Sequence, residues 1–151
     1  MIELNLPTYP LRLTKKYGKP YIYDDLRHRF VALTPEERVR QHFVHYLLEH
    51  LGYPRELMMN EVSLVVGLTK KRCDSLLYSR SLTPRLLIEY KAPHVPLTEE
   101  VLQQILRYNY TLRVPYLILS NGIEHLAWHL DYEQMTSSPL DHIPHYTELV
   151  D

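Results

Sequence analysis

Cysteine is nearly absent from this sequence of 151 residues, in which Cys73 is the single example. One cysteine cannot form an internal disulfide and cannot by itself hold zinc, so the composition excludes disulfide scaffolds and cysteine-rich metal folds. Apolar runs also stay well below the ~18 residues that a membrane helix needs. The first residues lack the charged and apolar regions of a signal peptide. We therefore expect a cytoplasmic protein with no membrane partner.

Lysine and arginine are absent after Arg113, and that last segment carries six of the 18 acidic residues. The body is consequently net positive and the end of the chain net negative, although the formal charge of the whole is only −1. The total charge does not indicate nucleic-acid binding, but it leaves open a locally positive face on the body. Ordinary surface charge is the alternative explanation.

The length and composition are typical of one soluble domain, with 45% hydrophobic and 23% charged residues. We expect residues 1–151 to form that single domain. Residues 1–33 are rich in proline and tyrosine and show no sustained period, so we expect an extended N-terminal arm docked on the domain. Residues 131–151 are predicted to form an extended or loosely packed acidic tail.

Hydrophobic periodicity and capping residues predict the elements between these two ends. A helix begins after Thr34, with Glu37 in the position that completes a capping box, and Gly52 ends it. Thr98 caps a second helix. The predicted helices cover residues 35–51 and 99–112, and the predicted strands cover residues 57–68, 74–78, 85–91, 116–120 and 123–130. Their order is α-β-β-β-α-β-β.

Two carboxylates and a lysine are predicted to converge on neighbouring strands. Glu89 and Lys91 project from one face because strand side chains alternate. Asp74, near the start of the preceding strand, lies beside the end of the next one if the two are antiparallel. Paired carboxylates repel unless a cation sits between them, and oxygen ligands suit Mg²⁺ or Mn²⁺. Such a metal, with a lysine nearby, fits phosphodiester hydrolysis.

A purely structural interpretation of the same residues stays open. Asp74 follows a basic stretch and would then pair with Lys71 or Arg72. Glu89 and Lys91 would form an ion pair of little energetic value.

The motifs, in their order along the chain, resemble the PD-(D/E)xK nuclease superfamily. More closely, they are similar to the N-terminal nuclease domain of type I restriction enzyme R subunits, over roughly residues 23–130. The motifs that carry the resemblance are Leu33-Thr34-Pro35-Glu36-Glu37-Arg38-Val39-Arg40-Gln41, Lys71-Arg72-Cys73-Asp74, Leu87-Ile88-Glu89-Tyr90-Lys91-Ala92-Pro93, Gln104-Ile105-Leu106-Arg107-Tyr108-Asn109 and Ser120-Asn121-Gly122.

The resemblance implies a restriction-endonuclease-like α/β fold, an αβββαβ core with a mixed central sheet flanked by helices. It also implies Mg²⁺-dependent DNA cleavage, with Mn²⁺ as a substitute. Asp74 and Glu89 are implied as metal ligands, and Lys91 as the residue beside the attacking water.

Three further residues are implied as helpers. Glu37 on the first helix supports the site by its position, whereas Gln104 and Tyr108 assist substrate or metal positioning. Capping alone would also explain Glu37, and a core position on the helix stripe would also explain Tyr108.

The sequence departs from the family pattern at two points. Cys73 precedes Asp74 where the motif has proline, which removes no ligand. No Gly-x-x-x-x-Gly-Lys-Ser/Thr loop is found, so we expect no DNA translocation from this chain alone.

Lys70, Lys71, Arg72 and Arg107 are candidates to contact phosphates, although each is also explained as a solvated charge. The expected partners are DNA, a separate helicase or specificity subunit, and a second copy of the chain. The alternative function is a catalytically silent module of the same fold that binds DNA or a partner. RNA instead of DNA as the substrate is equally consistent with the sequence.

Overall fold

The computed structural model describes residues 2–149, which form nine strands and two α-helices. Short 3₁₀ helices cover Arg55–Leu57 and Tyr146–Glu148. The α-helices are α1 (Pro35–His50) and α2 (Glu99–Leu112). The strands are β1 (Leu13–Lys16), β2 (Lys19–Asp24), β3 (Arg29–Ala32), β4 (Met58–Val66), β5 (Thr69–Tyr78), β6 (Pro84–Tyr90), β7 (Tyr116–Ser120), β8 (His125–Asp131) and β9 (Thr136–Leu140).

The main sheet contains six strands in the order β4-β5-β6-β7-β8-β9. Neighbouring strands are antiparallel except β6 and β7, which are parallel because α2 makes the crossover between them. The predicted fold class, a mixed sheet flanked by helices, is therefore confirmed, as is the antiparallel β5–β6 pair on which the site prediction depends.

Both helices begin where the capping residues predict. Thr34 Oγ1 accepts a hydrogen bond from the Glu37 N–H (3.1 Å), and Thr98 Oγ1 accepts one from the Val101 N–H (3.4 Å). These contacts satisfy amide groups that have no partner within the helix. They fix the starting points of α1 and α2 relative to the sheet.

A hydrophobic core lies on each face of the main sheet, because alternate strand residues point to opposite sides. The α1 side contains Val39, Phe43, Leu47, Leu77, Leu86, Ile88, Tyr90 and Ile118. The α2 side contains Leu76, Leu87, Leu106, Leu117, Leu119 and Trp128. Glu89 lies between Ile88 and Tyr90 in β6, so alternation assigns its side chain to the α2 side.

The prediction of an extended arm over residues 1–33 is wrong for its second half. Strands β1, β2 and β3 form an antiparallel sheet of their own. A two-residue turn joins β1 to β2, and Tyr17 and Gly18 there both have positive φ (53° and 75°), as a tight hairpin requires. The first residues do dock on the domain, since the Asn5 N–H donates to the Gly122 carbonyl (2.8 Å).

The prediction of an extended or loosely packed tail over residues 131–151 misses the sheet pairing of the residues described. Strand β9 pairs with β8 and extends the main sheet. Leu149 is buried in the core on the α1 side. The sequence does not indicate β9 as a strand, because the residues of β9 are mostly polar. Pro139 is tolerated in β9 because β9 is an edge strand. Residues 150 and 151 lie outside the described residues.

The stretch Thr69–Arg72, which lies outside the predicted strands, is part of β5. It pairs with β4 as far as Val66 opposite Thr69, whereas the β5–β6 ladder begins only at Ser75 opposite Ile88. The β4–β5 hairpin therefore projects past the end of β6. No helix among residues 2–149 is both long and apolar enough to cross a membrane.

Candidate active site

Asp74 and Glu89 meet where the β5–β6 ladder ends. The last ladder pair is Ser75 with Ile88. One residue further, Asp74 Oδ2 accepts a hydrogen bond from the Tyr90 N–H (2.9 Å). The carboxylate thus continues the pairing of the two strands in place of a backbone carbonyl. It is held beside Glu89, as the sequence predicts.

Glu89 is a buried acid with only 8% of its surface exposed. No donor among the described residues meets its Oε1 atom at hydrogen-bond geometry. Burial raises the pKa of Glu89, and the nearby negative charge of Asp74 raises it further, whereas Lys71 acts in the opposite direction. The pair therefore has a deficit of positive charge and one buried oxygen without a hydrogen bond.

Lys71 is the lysine that the structure places against this pair. Its Nζ atom lies 3.5 Å from Glu89 Oε1, an ion-pair distance. The same Nζ lies 5.1 Å from the centroid of the Tyr108 ring on α2, which is within cation–π range. The sequence placed Lys71 among the phosphate contacts, so its inward orientation is a finding of the structure.

Tyr108 is not a core aromatic, because 48% of its surface is exposed. The alternative explanation of this residue, a position in the core stripe of α2, is therefore wrong. Its ring faces Lys71 at the rim of the carboxylate pair. This location agrees with an assisting role, which itself stays a prediction.

Lys91 follows β6 directly and is half-buried. Its N–H donates to the Ser120 carbonyl (2.9 Å), which fixes the backbone against β7. Alternation along the strand assigns its side chain to the face of Glu89. The ion pair that the structural interpretation assigned to Glu89 and Lys91 is made by Lys71 instead.

Gln104 lies one turn before Tyr108 on the exposed surface of α2. It lines a depression of about 390 Å³ with Glu99, Glu100, Gln103 and Arg107. The structure therefore places Gln104 with Arg107 on the helix surface, and its contact with the carboxylate pair stays a prediction.

Glu37 is buried in an ion network on the other side of the sheet. Its carboxylate accepts hydrogen bonds from Arg27 Nη2 (2.6 Å), Arg40 Nε (3.0 Å) and Gln41 Nε2 (3.0 Å). Arg40 Nη1 in turn donates to the Asp74 carbonyl (2.6 Å). Glu37 is thus connected through Arg40 to Asp74, the candidate metal ligand.

Arg40 and Glu61 are residues that the sequence prediction missed. Arg40 Nη2 donates to Glu61 Oε1 (2.6 Å), and Arg72 Nε donates to Glu61 Oε2 (2.6 Å). Glu61 has a positive φ of 56° and interrupts the β4–β5 ladder beside Asp74. One signal was available, because Glu37, Arg40, Gln41 and Val44 recur at the spacing of a buried helix face.

A buried polar chain under the site was also missed. Asn60 Nδ2 donates to Asp24 Oδ2 (3.0 Å), Ser75 Oγ donates to Asn60 Oδ1 (2.6 Å), and the Tyr90 hydroxyl donates to Ser75 Oγ (2.8 Å). Burial would raise the pKa of Asp24, but hydrogen bonds from Asn60 and Arg27 outweigh it and lower the pKa. This chain ties β2 to β4, β5 and β6.

The donor set fits a divalent cation of the magnesium type. Among residues 2–149, no group of three or more His, Cys, Asp or Glu side chains is arranged to hold a metal ion. Mg²⁺, however, usually binds one or two carboxylates and takes its other ligands from water and substrate phosphates. Asp74 and Glu89, with the buried Oε1 atom, supply that smaller set.

The remaining basic candidates lie on the surface. Lys70, Arg72 and Arg107 are exposed, and Arg72 pairs with Glu61 rather than with Asp74. Cys73 is buried, and burial raises the pKa of its thiol to about 12, so a nucleophilic thiolate is not available there.

Comparisons with known proteins connect the chain with one family. A family model described as the type I restriction enzyme R protein N terminus (HSDR_N) matches residues 35–144. A search of curated protein sequences gave no significant match.

Two solved structures are similar to the chain. The first is a fragment described as an HsdR subunit of a type I restriction enzyme from Vibrio vulnificus YJ016 (TM-score 0.55, 23% identity, 78% of this chain and 24% of that chain). That likeness concerns the fold, and the chain spans about a quarter of that structure. A DrdV–DNA complex gives a TM-score of 0.45 with 20% identity, over 70% of this chain and 10% of that chain.

Proposed function

Because the chain belongs to the family of type I restriction enzyme R protein N termini, we propose that it is a Mg²⁺-dependent nuclease that hydrolyses phosphodiester bonds in DNA. The observation that carries this proposal is the meeting of Asp74 and Glu89 at the end of the β5–β6 ladder. Membership of the family indicates the class of reaction. The carboxylate pair is the proposed location of that reaction in the fold.

Asp74 and Glu89 would hold the ion. The Tyr90 N–H holds the Asp74 carboxylate and Arg40 holds its carbonyl. Asp74 would therefore lose little conformational freedom when it binds the ion. Glu89 contributes the buried Oε1 atom that no hydrogen bond satisfies. A bound Mg²⁺ supplies polarisation of a phosphoryl oxygen and a more acidic water molecule.

The two lysines would have different tasks. Lys91 follows the strand on the face of Glu89, and its ammonium group would stabilise negative charge that develops on the phosphate. Lys71 pairs with Glu89, so it would favour the ionised form of that carboxylate. Lys71 is therefore a positioning residue, whereas Lys91 contacts the substrate.

The exposed basic residues would contact the DNA backbone. Lys70 and Arg72 lie on the projecting β4–β5 hairpin, and Arg107 lies on α2 beside Gln104. The hairpin and the helix flank the carboxylate pair, because Lys71 of β5 and Tyr108 of α2 meet there. A phosphate backbone that crosses the site would run between them.

The decisive experiment is nicking of a supercoiled plasmid with Mg²⁺ or Mn²⁺. Wild type should nick the plasmid, and Asp74→Asn should lose this activity while it keeps the fold. Asp141→Asn is the matched control, because that aspartate is exposed. Equal nicking by wild type and Asp74→Asn would overturn the assignment of the site.

One observation favours the alternative function, a silent module that binds DNA or a partner. Lys71 already places a positive charge against Glu89, which is where a metal would otherwise neutralise it. Calorimetry with Mn²⁺ separates the two functions. Binding that Glu89→Gln removes supports the nuclease, whereas absence of binding to wild type supports the silent module.

Our proposal for partners follows the family. A separate helicase or specificity subunit would deliver the DNA, and a second copy of the chain would allow cleavage of both strands. Size-exclusion chromatography with light scattering, with and without DNA, tests the second copy directly.

A further inference from the structure

The small sheet of β1, β2 and β3 has one face against the rest of the domain and one face toward solvent. On the inner face, Ile22 and Asp24 are each only 1% exposed. Asp24 Oδ2 accepts a hydrogen bond from Asn60 of β4 (3.0 Å), which ties this face to the main sheet. Because side chains alternate along β2, Tyr21 and Tyr23 point to the other side.

Cross-strand pairing collects basic and aromatic side chains on the solvent side. Tyr23 lies opposite Phe30, and their ring centroids are 5.3 Å apart. The Tyr23 N–H donates to the Arg12 carbonyl (2.9 Å), so Arg12 continues the ladder beside Tyr23. Lys16 lies opposite Lys19 next to the β1–β2 turn. We define the outer face of this sheet by six residues, which are Arg12, Lys16, Lys19, Tyr21, Tyr23 and Phe30.

The outer face is positively charged. Asp24 is the one acidic residue of the three strands, and it belongs to the inner face. The ion pairs among residues 2–149 do not include Arg12, Lys16 or Lys19. Like charges directly opposite each other destabilise a sheet. A phosphate bound beside Lys16 and Lys19 would remove this repulsion.

Phe30 and Arg12 offer surfaces on which a base can stack. The guanidinium carbon of Arg12 lies 4.0 Å from the centroid of the Tyr23 ring, so Arg12 covers that ring. Arg12 is more distant from the Phe30 ring (5.8 Å), and 41% of the surface of Phe30 is exposed. Nucleic-acid bases stack on aromatic rings and on guanidinium planes. The bases of a duplex are already stacked on each other, so such a surface favours a single strand.

We propose that the outer face binds single-stranded DNA. One base stacks on Phe30, and Arg12, Lys16 and Lys19 contact phosphates. Tyr23 and Lys19 are four residues apart in β2, about 13 Å along the strand, so the lysines contact a different nucleotide from the one on Phe30. The choice of DNA over RNA rests on the proposed nuclease function. The binding itself does not, because the outer face shares no residue with the carboxylate pair.

Fluorescence anisotropy with a short labelled single-stranded DNA tests the aromatic contact. EDTA in the buffer prevents metal-dependent cleavage during the measurement. Wild type should bind saturably, and Phe30→Leu should weaken binding about tenfold, because leucine keeps an apolar contact with Tyr23 but offers no ring. Phe30→Trp restores a ring and should keep the affinity of wild type. Equal losses in both variants would overturn the stacking contact.

The salt dependence of the affinity tests the phosphate contacts. Lys16→Gln and Lys19→Gln should each lower the slope of log affinity against log salt by about 0.7, the value for one phosphate of a single strand. Arg29→Gln is the matched control, because Arg29 is exposed in the same sheet but lies opposite Asp24 on the inner face. It should leave the slope unchanged. An equal decrease in Arg29→Gln would overturn the proposal, because binding would then follow total charge.

A duplex and an RNA strand of the same sequence define the ligand. Phe30→Leu should not alter the affinity for the duplex, and equal losses for duplex and single strand would contradict stacking of a base. Tighter binding of RNA than of DNA, with the same dependence on Phe30, would overturn the choice of DNA. A dimer that Phe30→Leu dissociates would assign the outer face to a second copy of the chain instead.

Plasmid nicking by wild type separates this proposal from the nuclease function. If wild type nicks the plasmid with Mg²⁺ but does not bind single-stranded DNA saturably in EDTA, the outer face is not a DNA site and the nuclease proposal stands. If wild type binds the strand with the expected dependence on Phe30 but nicks no DNA, the outer face is supported and the nuclease proposal fails.

Discussion

Lys71 Nζ lies 3.5 Å from Glu89 Oε1, and this contact joins the projecting β4–β5 hairpin to the end of β6. The same ammonium group faces Tyr108, so two strands and α2 meet at one lysine. Its neighbours Lys70 and Arg72 are exposed. Because side chains alternate along a strand, Lys71 points toward Glu89, whereas Lys70 and Arg72 point to solvent.

Glu89→Gln should stabilise the protein while it abolishes cleavage. The change removes a buried charge beside Asp74, so the metal-free protein should gain about 1–2 kcal/mol. The same change removes one of the two proposed metal ligands, so Mg²⁺-dependent nicking should disappear. Urea unfolding in EDTA and plasmid nicking measure the two effects.

Glu133→Gln is the control for both measurements, because Glu133 is exposed. It should alter neither stability nor nicking. A Glu89→Gln protein that is less stable than wild type would show that Lys71 already compensates the carboxylate fully.

Changing each of the two lysines to methionine should distinguish their roles. Lys91→Met should lower the nicking rate by about 10²- to 10³-fold, because charge on the phosphate loses its stabilising group. Lys71→Met should cost about tenfold, or ~1.4 kcal/mol of activation free energy, because it acts through Glu89.

The Mg²⁺ dependence of the rate distinguishes the two roles. Lys71→Met should shift the Mg²⁺ concentration that gives half-maximal nicking, whereas Lys91→Met should leave it unchanged. The reverse pattern would assign the substrate contact to Lys71 and the positioning role to Lys91.

Local signals were sufficient for most of the main sheet and both helices. Thr34 and Thr98 predicted the helix starts correctly, because their side chains cap the two helices. Alternation and antiparallel pairing predicted that Asp74 and Glu89 meet, because both rules depend only on neighbouring strands. The β6–β7 parallel pair follows from the helix between them.

The parts that were missed depend on contacts distant in the sequence. Strand β9 is polar and becomes a strand because β8 offers it an edge. Arg40 and Asp24 are buried charges that each have a partner in another element, Glu61 and Asn60 respectively. Periodicity indicates which positions are buried, but it does not indicate which charged side chains will find partners there.

Arg40→Met should be among the most destabilising single changes. Arg40 holds Glu37, Glu61 and the Asp74 carbonyl together, and its loss removes the buried cation that lies between two carboxylates. We expect a loss of about 3 kcal/mol in the free energy of unfolding, at the lower end for a broken buried pair because Arg27 still binds Glu37.

Arg72→Met is the matched control for Arg40→Met. It removes the same type of charge from Glu61, but the arginine side chain is 68% exposed. An exposed ion pair contributes about 0–1 kcal/mol. Urea denaturation of both variants measures the difference, and equal losses would show that the network acts as surface charge only.

Asp24 should make stability depend on pH in the acid range. Its folded pKa is lowered, since hydrogen bonds from Asn60 and Arg27 outweigh the effect of burial. A lowered folded pKa means that the contribution is complete above the unfolded pKa of about 3.9 and is lost as the pH falls through the folded value. The free energy of unfolding of wild type should therefore exceed that of Asp24→Asn by about 1.5–3 kcal/mol at pH 6, and this difference should shrink by pH 3.

Urea unfolding at the two pH values measures this difference, with the exposed Glu124→Gln as control. An advantage that is equal at pH 6 and pH 3 would show that the Asp24 contacts do not depend on its charge.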